Sequence, residues 1–225
     1  YCTLIKGKRD YHKEGMGSTK MRNFCIKSFK NTYDRIWILD DNIKCYRRLL
    51  NGVKNKVNSD IVFRSIEDYV MNHDNVGIVS QNFNPFVREG STRTCIVKNN
   101  KSYSSFLVRT DVGIKFRYKH QEDNFISMEY VHKGYCNLCF NTFLYDKDTS
   151  GKNKGGNNKV IYQVEDNNTD GKGYKERFEY TKLQLQILQM EGRIKLKEGK
   201  TLDDFFKKSK TMKSKEYHAN YDYHM

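Results

Sequence analysis

Arg35-Ile36-Trp37-Ile38-Leu39-Asp40-Asp41-Asn42-Ile43-Lys44-Cys45-Tyr46 (RIWILDDNIKCY, residues 35–46) begins as a strand and ends in two adjacent carboxylates and an amide. Ile36 to Leu39 has the β-branched and aromatic character of an interior strand. No glycine or proline follows to mark an ordinary tight turn. Side-by-side carboxylates repel each other, so such a pair needs a cation or donors to hold it. An Asp-Asp-Asn corner also makes a sound turn that caps the next segment, and both readings stand at this level. Position favours chemistry. Carboxylates that follow four apolar strand residues point into a mouth of the sheet, where a hard divalent cation could bridge them to a diphosphate.

The segments around this stretch alternate in type. Residues 17–32 open on Gly17-Ser18 and carry Met21, Phe24, Cys25 and Phe29 at helical spacing, leading straight into strand 35–39. Residues 43–60 are mixed and polar, with Tyr46 and Leu49-Leu50 as anchors. A second helix is predicted over 61–73 and a strand over 76–80, followed by the loop QNFNPFVREGS. Three strands follow at 92–97, 104–109 and 113–118. Residues 121–133 read as a helix capped by Gly134, and 135–145 as a strand. The low-complexity run DKDTSGKNKGGNNK reads as a long loop, 176–190 as a helix stopped by Gly192, and residues 207–225 as a basic tail. Strands alternating with helices predict one α/β domain over residues 1–206, with a mostly parallel sheet flanked by helices. Ligands of such sheets bind beyond the carboxyl ends of the strands, where Asp40-Asp41-Asn42 falls.

Composition narrows the partners. A formal net charge of +14 over 225 residues suits a phosphate backbone or a nucleotide, although a lysine-coated surface accounts for it equally well. Only 37% of the chain is hydrophobic, but 16 Tyr and 13 Phe can build a sizeable core. No apolar run approaches the ~18 residues that span a bilayer, and no signal peptide is visible, so a cytoplasmic location is expected. The six cysteines read as reduced thiols, and Cys136-Asn-Leu-Cys139 lacks the second pair that would complete a zinc site.

A second acidic cluster, Gln121-Glu122-Asp123-Asn124, opens the 121–133 helix. Its plain role is to complement the helix dipole; its functional role would be a general base, Asp123 or Glu122, near the acidic corner. Arg22 could pair with these carboxylates or with a phosphate, or lie on an exposed helix face. Gly155-Gly156-Asn157 could close over a bound nucleotide or serve as a plain linker. His132 reads as a helix-surface histidine.

In order along the chain, Met21-Arg22-Asn23, Trp37-Ile38-Leu39-Asp40-Asp41-Asn42-Ile43, Glu122-Asp123-Asn124-Phe125, Gly134 and Gly155-Gly156-Asn157 resemble the TET/JBP-associated glycosyltransferases. These are GT-A-fold enzymes of phages and some eukaryotes, related to the base J glucosyltransferase of kinetoplastids. The resemblance runs from about residue 15 to about residue 206, and the W-I-L-D-D-N-I string is its most specific element. It implies a transferase that moves a sugar from a nucleotide sugar, a UDP-sugar by expectation, onto the hydroxymethyl group of a DNA pyrimidine with inversion. Asp40, Asp41 and Asn42 then match the DxD-like motif that holds Mg²⁺ or Mn²⁺ against the donor diphosphate. Asp123, with Glu122 beside it, matches the acceptor-side base. Arg22 and Asn23 match the R-N pair near the nucleotide or the corner, and Gly155 and Gly156 match the glycine loop. GT-A domains begin with a strand whose following loop contacts the nucleotide base. Little precedes Met21, so that strand is expected to be reduced or absent from this chain. Two competing expectations remain: the same chemistry on a protein or glycan acceptor, and a non-catalytic basic module that binds nucleic acid.

Overall fold

The computed structural model describes residues 18–90, 94–118, 122–148, 172–192, 199 and 201. The chain divides into two compact units, residues 1–154 and 155–225. The first contains α1 (Thr19–Phe29), β1 (Arg35–Leu39), β2 (Ile43–Leu50), β3 (Val53–Val57), α2 (Ile61–Met71), β4 (Val76–Phe83), a 3₁₀ turn (Asn84–Phe86), β5 (Ile96–Lys98), β6 (Ser105–Arg109), α3 (Glu122–His132) and β7 (Cys136–Lys147). In the second unit, α4 (Lys172–Met190) ends at Gly192, whose φ of +68° no β-carbon would favour. No helix among the described residues is long and apolar enough to cross a membrane.

The seven strands among the described residues form one sheet in the order β1-β6-β4-β7-β2-β3, with β5 also paired to β7. Two apolar layers cover it. On one face Ile26 of α1 and Ile126 and Tyr130 of α3 pack on Ile38, Ile78, Phe106 and Val108. On the other, Val62, Ile66 and Val70 of α2 recur every fourth residue and pack on Val79, Leu107, Leu138 and Phe140. Burying each such aliphatic side chain contributes about 1.5–3 kcal/mol, so the two layers hold the helices in place.

The sheet is mixed and mostly antiparallel, which corrects the mostly parallel expectation. Among the described residues only β4 and β7 pair in parallel. The expectation assumed a helical crossover between successive strands. Instead β6 runs between β1 and β4 and opposes both, while β2 and β3 form a hairpin. That hairpin lies in the stretch of mixed, polar composition, and its turn is Asn51-Gly52 with φ of +50° and +79°. Such a two-residue Asn-Gly turn matches the twist of the flanking strands. β1 is not interior: among the described residues it pairs only with β6, and Leu39 is 46% exposed. Residues 113–118 form no strand, because the Phe116 backbone is bonded to the Asn23 side chain rather than to a neighbouring strand.

The corner at Asp40-Asp41-Asn42 forces the sheet to bend. In a flat sheet β1 and β2 would stand four strand spacings apart, ~19 Å at ~4.8 Å each. Leu39 and Ile43 are joined by a stretch that reaches only ~14 Å when extended. Between Gln81 and Asn82, β7 jumps register from Phe140 to Leu144. An irregularity of that kind bends a strand locally.

Candidate functional site

β1, β4 and β7 run in one direction and β6 runs against them. One sheet edge therefore collects the carboxyl ends of three strands and the amino end of β6. Asp40 follows β1, Lys147 ends β7, and Ser104 precedes β6. The backbone ties this edge together, as the Asp40 N–H donates to the Ser104 carbonyl at 2.7 Å. Ser104 holds φ at +46°, a region that costs a serine conformational energy and recurs at functional sites.

Arg22 sits at the centre of the site. Thr19, Arg22 and Ile26 form the buried stripe of α1, and Arg22 is only 7% exposed. Its Nη2 donates to Asp40 Oδ1 and its Nη1 to Glu122 Oε1, both at 3.0 Å. The rings of Phe106 and Phe116 lie 5.4 Å from its guanidinium carbon. Burial disfavours the charge, but Glu122, Asp40 and Asp123 outweigh it and raise the Arg22 pKa. Burial likewise works against the Asp40 carboxylate, yet Arg22, Lys147 and hydrogen bonds from Ser104 and Lys147 hold its pKa below the usual carboxylate range.

α3 brings the second acidic group to this edge. Ser18 Oγ donates to Glu122 Oε1 at 2.6 Å. Asp123 Oδ1 accepts the Asn124 N–H at 2.9 Å. Burial, then the neighbouring Glu122, pushes the Asp123 pKa up to about 6; Arg22, the Asn124 N–H and Lys101 oppose them. A carboxylate with that affinity is ionised at neutral pH and still a useful proton acceptor. The buried Tyr145 hydroxyl bonds Ser104 and feels the charges of both Asp40 and Asp123.

The remaining expected residues have different surroundings. Asn23 clamps the backbone of Phe116: its Nδ2 donates to the Phe116 carbonyl at 2.7 Å, and its Oδ1 accepts the Phe116 N–H at 2.8 Å. Asp41 is exposed, and Asn42 Oδ1 is a buried acceptor with no donor among the described residues. Among the described residues, no group of three or more His, Cys, Asp or Glu side chains is placed to hold a metal. The corner offers only hard oxygen donors. That set fits a cation of the Mg²⁺ type, which takes much of its shell from substrate phosphates and water. Gly155 and Gly156 lie outside the described residues.

Sequence reading missed Lys147, Ser104, Tyr145 and Lys101. Lys147 Nζ lies 3.2 Å from Asp40 Oδ2 and 2.5 Å from Ser104 Oγ. Residues 146 and 147 read as the start of the low-complexity loop, whereas β7 carries them to the site. A strand alternation prolonged by two residues past Tyr145 was the available signal. Lys101 has none, since its approach to Asp123 depends on tertiary folding.

No curated protein matches the chain. The sequence model for the TET-associated glycosyltransferases matches residues 5–156, about two-thirds of the chain and every site residue named above. A match of that extent means that the chain belongs to the TET-associated glycosyltransferase family and is a glycosyltransferase that draws on a nucleotide-sugar donor.

Proposed function

We propose that the protein is a divalent-cation-dependent transferase with a GT-A-like fold. It moves a sugar from a UDP-sugar onto the hydroxymethyl group of a modified pyrimidine in DNA, with inversion. The observation that carries this reading is the bridge from Asp40 through Arg22 to Glu122, with Asp123 alongside. It sets an acidic donor corner beside a carboxylate whose pKa suits a base. The formal net charge of +14 favours a polyanionic acceptor.

Asp123 takes the proton of the acceptor hydroxyl as its oxygen bonds to the anomeric carbon of the sugar. The bond from that carbon to the diphosphate oxygen breaks, and its electron pair leaves with the nucleoside diphosphate. One base and one displacement give inversion. Asp41 and the Asn42 amide oxygen, with Asp40 behind them, are the residues that would hold Mg²⁺ or Mn²⁺; the bound ion would neutralise charge on the leaving diphosphate.

The test is transfer from UDP-sugars to duplex DNA carrying 5-hydroxymethylpyrimidines, followed by nucleoside mass spectrometry with and without Mn²⁺. A hexose-sized mass increase that disappears with a chelator and in Asp123→Asn supports the proposal. Transfer to peptides or free sugars but not to DNA overturns the acceptor. Undiminished transfer in chelator overturns the role of the cation.

A further inference from the structure

We infer that Lys147 is a further donor-binding residue, whose ammonium group turns from Asp40 to the diphosphate of the bound nucleotide. This rests on the proposed reading that the corner handles a nucleoside diphosphate.

Lys147 ends β7 and stands opposite Ile43, the first residue after the corner. Its Nζ contacts Asp40 Oδ2 and Ser104 Oγ, and its side chain is 17% exposed. Among the described residues, three cationic side chains serve this edge, and they differ in freedom. Arg22 is sandwiched between two rings and shared by two carboxylates, so turning it away would cost Glu122 its ion pair and leave Asp40 with Lys147. Lys101 is only 4% exposed and lies over the Tyr103 ring at 5.9 Å. Lys147 faces a carboxylate that a second cation already holds, since Arg22 occupies Asp40 Oδ1. If Lys147 leaves, Asp40 keeps Arg22 and the Ser104 region keeps its backbone bond to Asp40.

A diphosphate arriving at the corner brings negative charge next to the exposed Asp41 carboxylate. A cation bound there offsets only part of that charge, and a second positive group lowers the remainder. A lysine suits the task, because its compact charge rides on a flexible four-carbon stem and can follow a phosphate as it leaves. The redundancy of the Asp40 pairing is what lets Lys147 move at little cost.

The experiment measures binding of UDP, inorganic pyrophosphate and uridine to wild type, Lys147→Gln and Lys147→Arg by calorimetry, with and without Mn²⁺, alongside each melting temperature. Lys147→Gln is expected to weaken UDP and pyrophosphate about tenfold or more, while leaving uridine unchanged. Lys147→Arg, which keeps the charge, is expected to restore most of that affinity. Wild-type affinity for UDP and pyrophosphate in Lys147→Gln overturns the inference. So does an equal loss for UDP and uridine, which marks a structural role. If wild type binds neither phosphate ligand under any condition, the donor reading itself falls, and the role of Lys147 with it.

Discussion

Arg22 spans Asp40 and Glu122 with one guanidinium, 3.0 Å to each, and so joins a residue at the end of β1 to one in the first turn of α3. The two acidic motifs lie far apart in sequence and share a single counter-charge. Their separation in space is therefore set by the fork of one side chain, which a lysine cannot reproduce.

Arg22→Ala is expected to leave Asp40 and Glu122 without their shared partner in a shielded site. Denaturant unfolding should show a loss of about 3–5 kcal/mol, the range for breaking a buried pair from one side. Arg22→Lys should lose less stability, because it keeps the charge. It should still lower sugar transfer sharply, because one ammonium cannot hold both carboxylates in place.

Asp123 sets a pH window. Its folded-state pKa of about 6 lies above the unfolded carboxylate value, so the folded protein binds the proton more tightly between about pH 4 and pH 6. Stability falls as pH rises through that window, and the cost is fully present above it. Asp123→Asn should therefore be more stable than wild type at pH 7.5, by up to ~3 kcal/mol. That difference should vanish below about pH 4 in chemical denaturation at each pH. Wild-type transfer should rise with pH to a plateau above about pH 6, and the Asn variant should be inactive throughout.

Asp41 and Asn42 carry the cation in the proposed site, while Asp40 is held by Arg22 and Lys147. Asp41→Asn is expected to fold like wild type, since the side chain is exposed. It should raise the Mn²⁺ concentration needed for half-maximal transfer about tenfold or more. A Mn²⁺ titration of activity, paired with thermal unfolding, reads both effects.

Asn23→Ala removes both hydrogen bonds that hold the Phe116 backbone. At roughly 1 kcal/mol per bond, plus the unsatisfied backbone groups, the loss should be about 2–3 kcal/mol. Because Phe116 forms one wall around Arg22, transfer should also fall. Affinity for Mn²⁺ should hold, which separates this variant from those at the corner.

Helices α1, α2 and α3 were legible before folding, because apolar residues at intervals of three and four need a surface to cover whatever that surface is. The acidic corner and the Glu122-Asp123 pair were legible for a similar reason: adjacent charges at the ends of regular segments stand out locally. Some local signals went unread. Asn51-Gly52 is a strong hairpin turn within a mixed, polar stretch, and Lys147 ends a strand whose apolar pattern stops at Tyr145.

Strand order had no comparable signal. Nothing near Ser105–Arg109 says that this strand inserts between β1 and β4, because its partners are chosen by hydrogen bonds and packing across the whole sheet. By itself, then, the sequence determined the segments, their buried faces and the acidic groups at their ends, since those follow from side-chain periodicity along a few turns or pleats. Only the tertiary structure decided that Arg22 faces inward to hold both motifs, that Asn23 secures Phe116, and that Lys147 reaches Asp40. Each of those pairings spans 18 residues or more of chain, and no local preference encodes which distant group a side chain will meet.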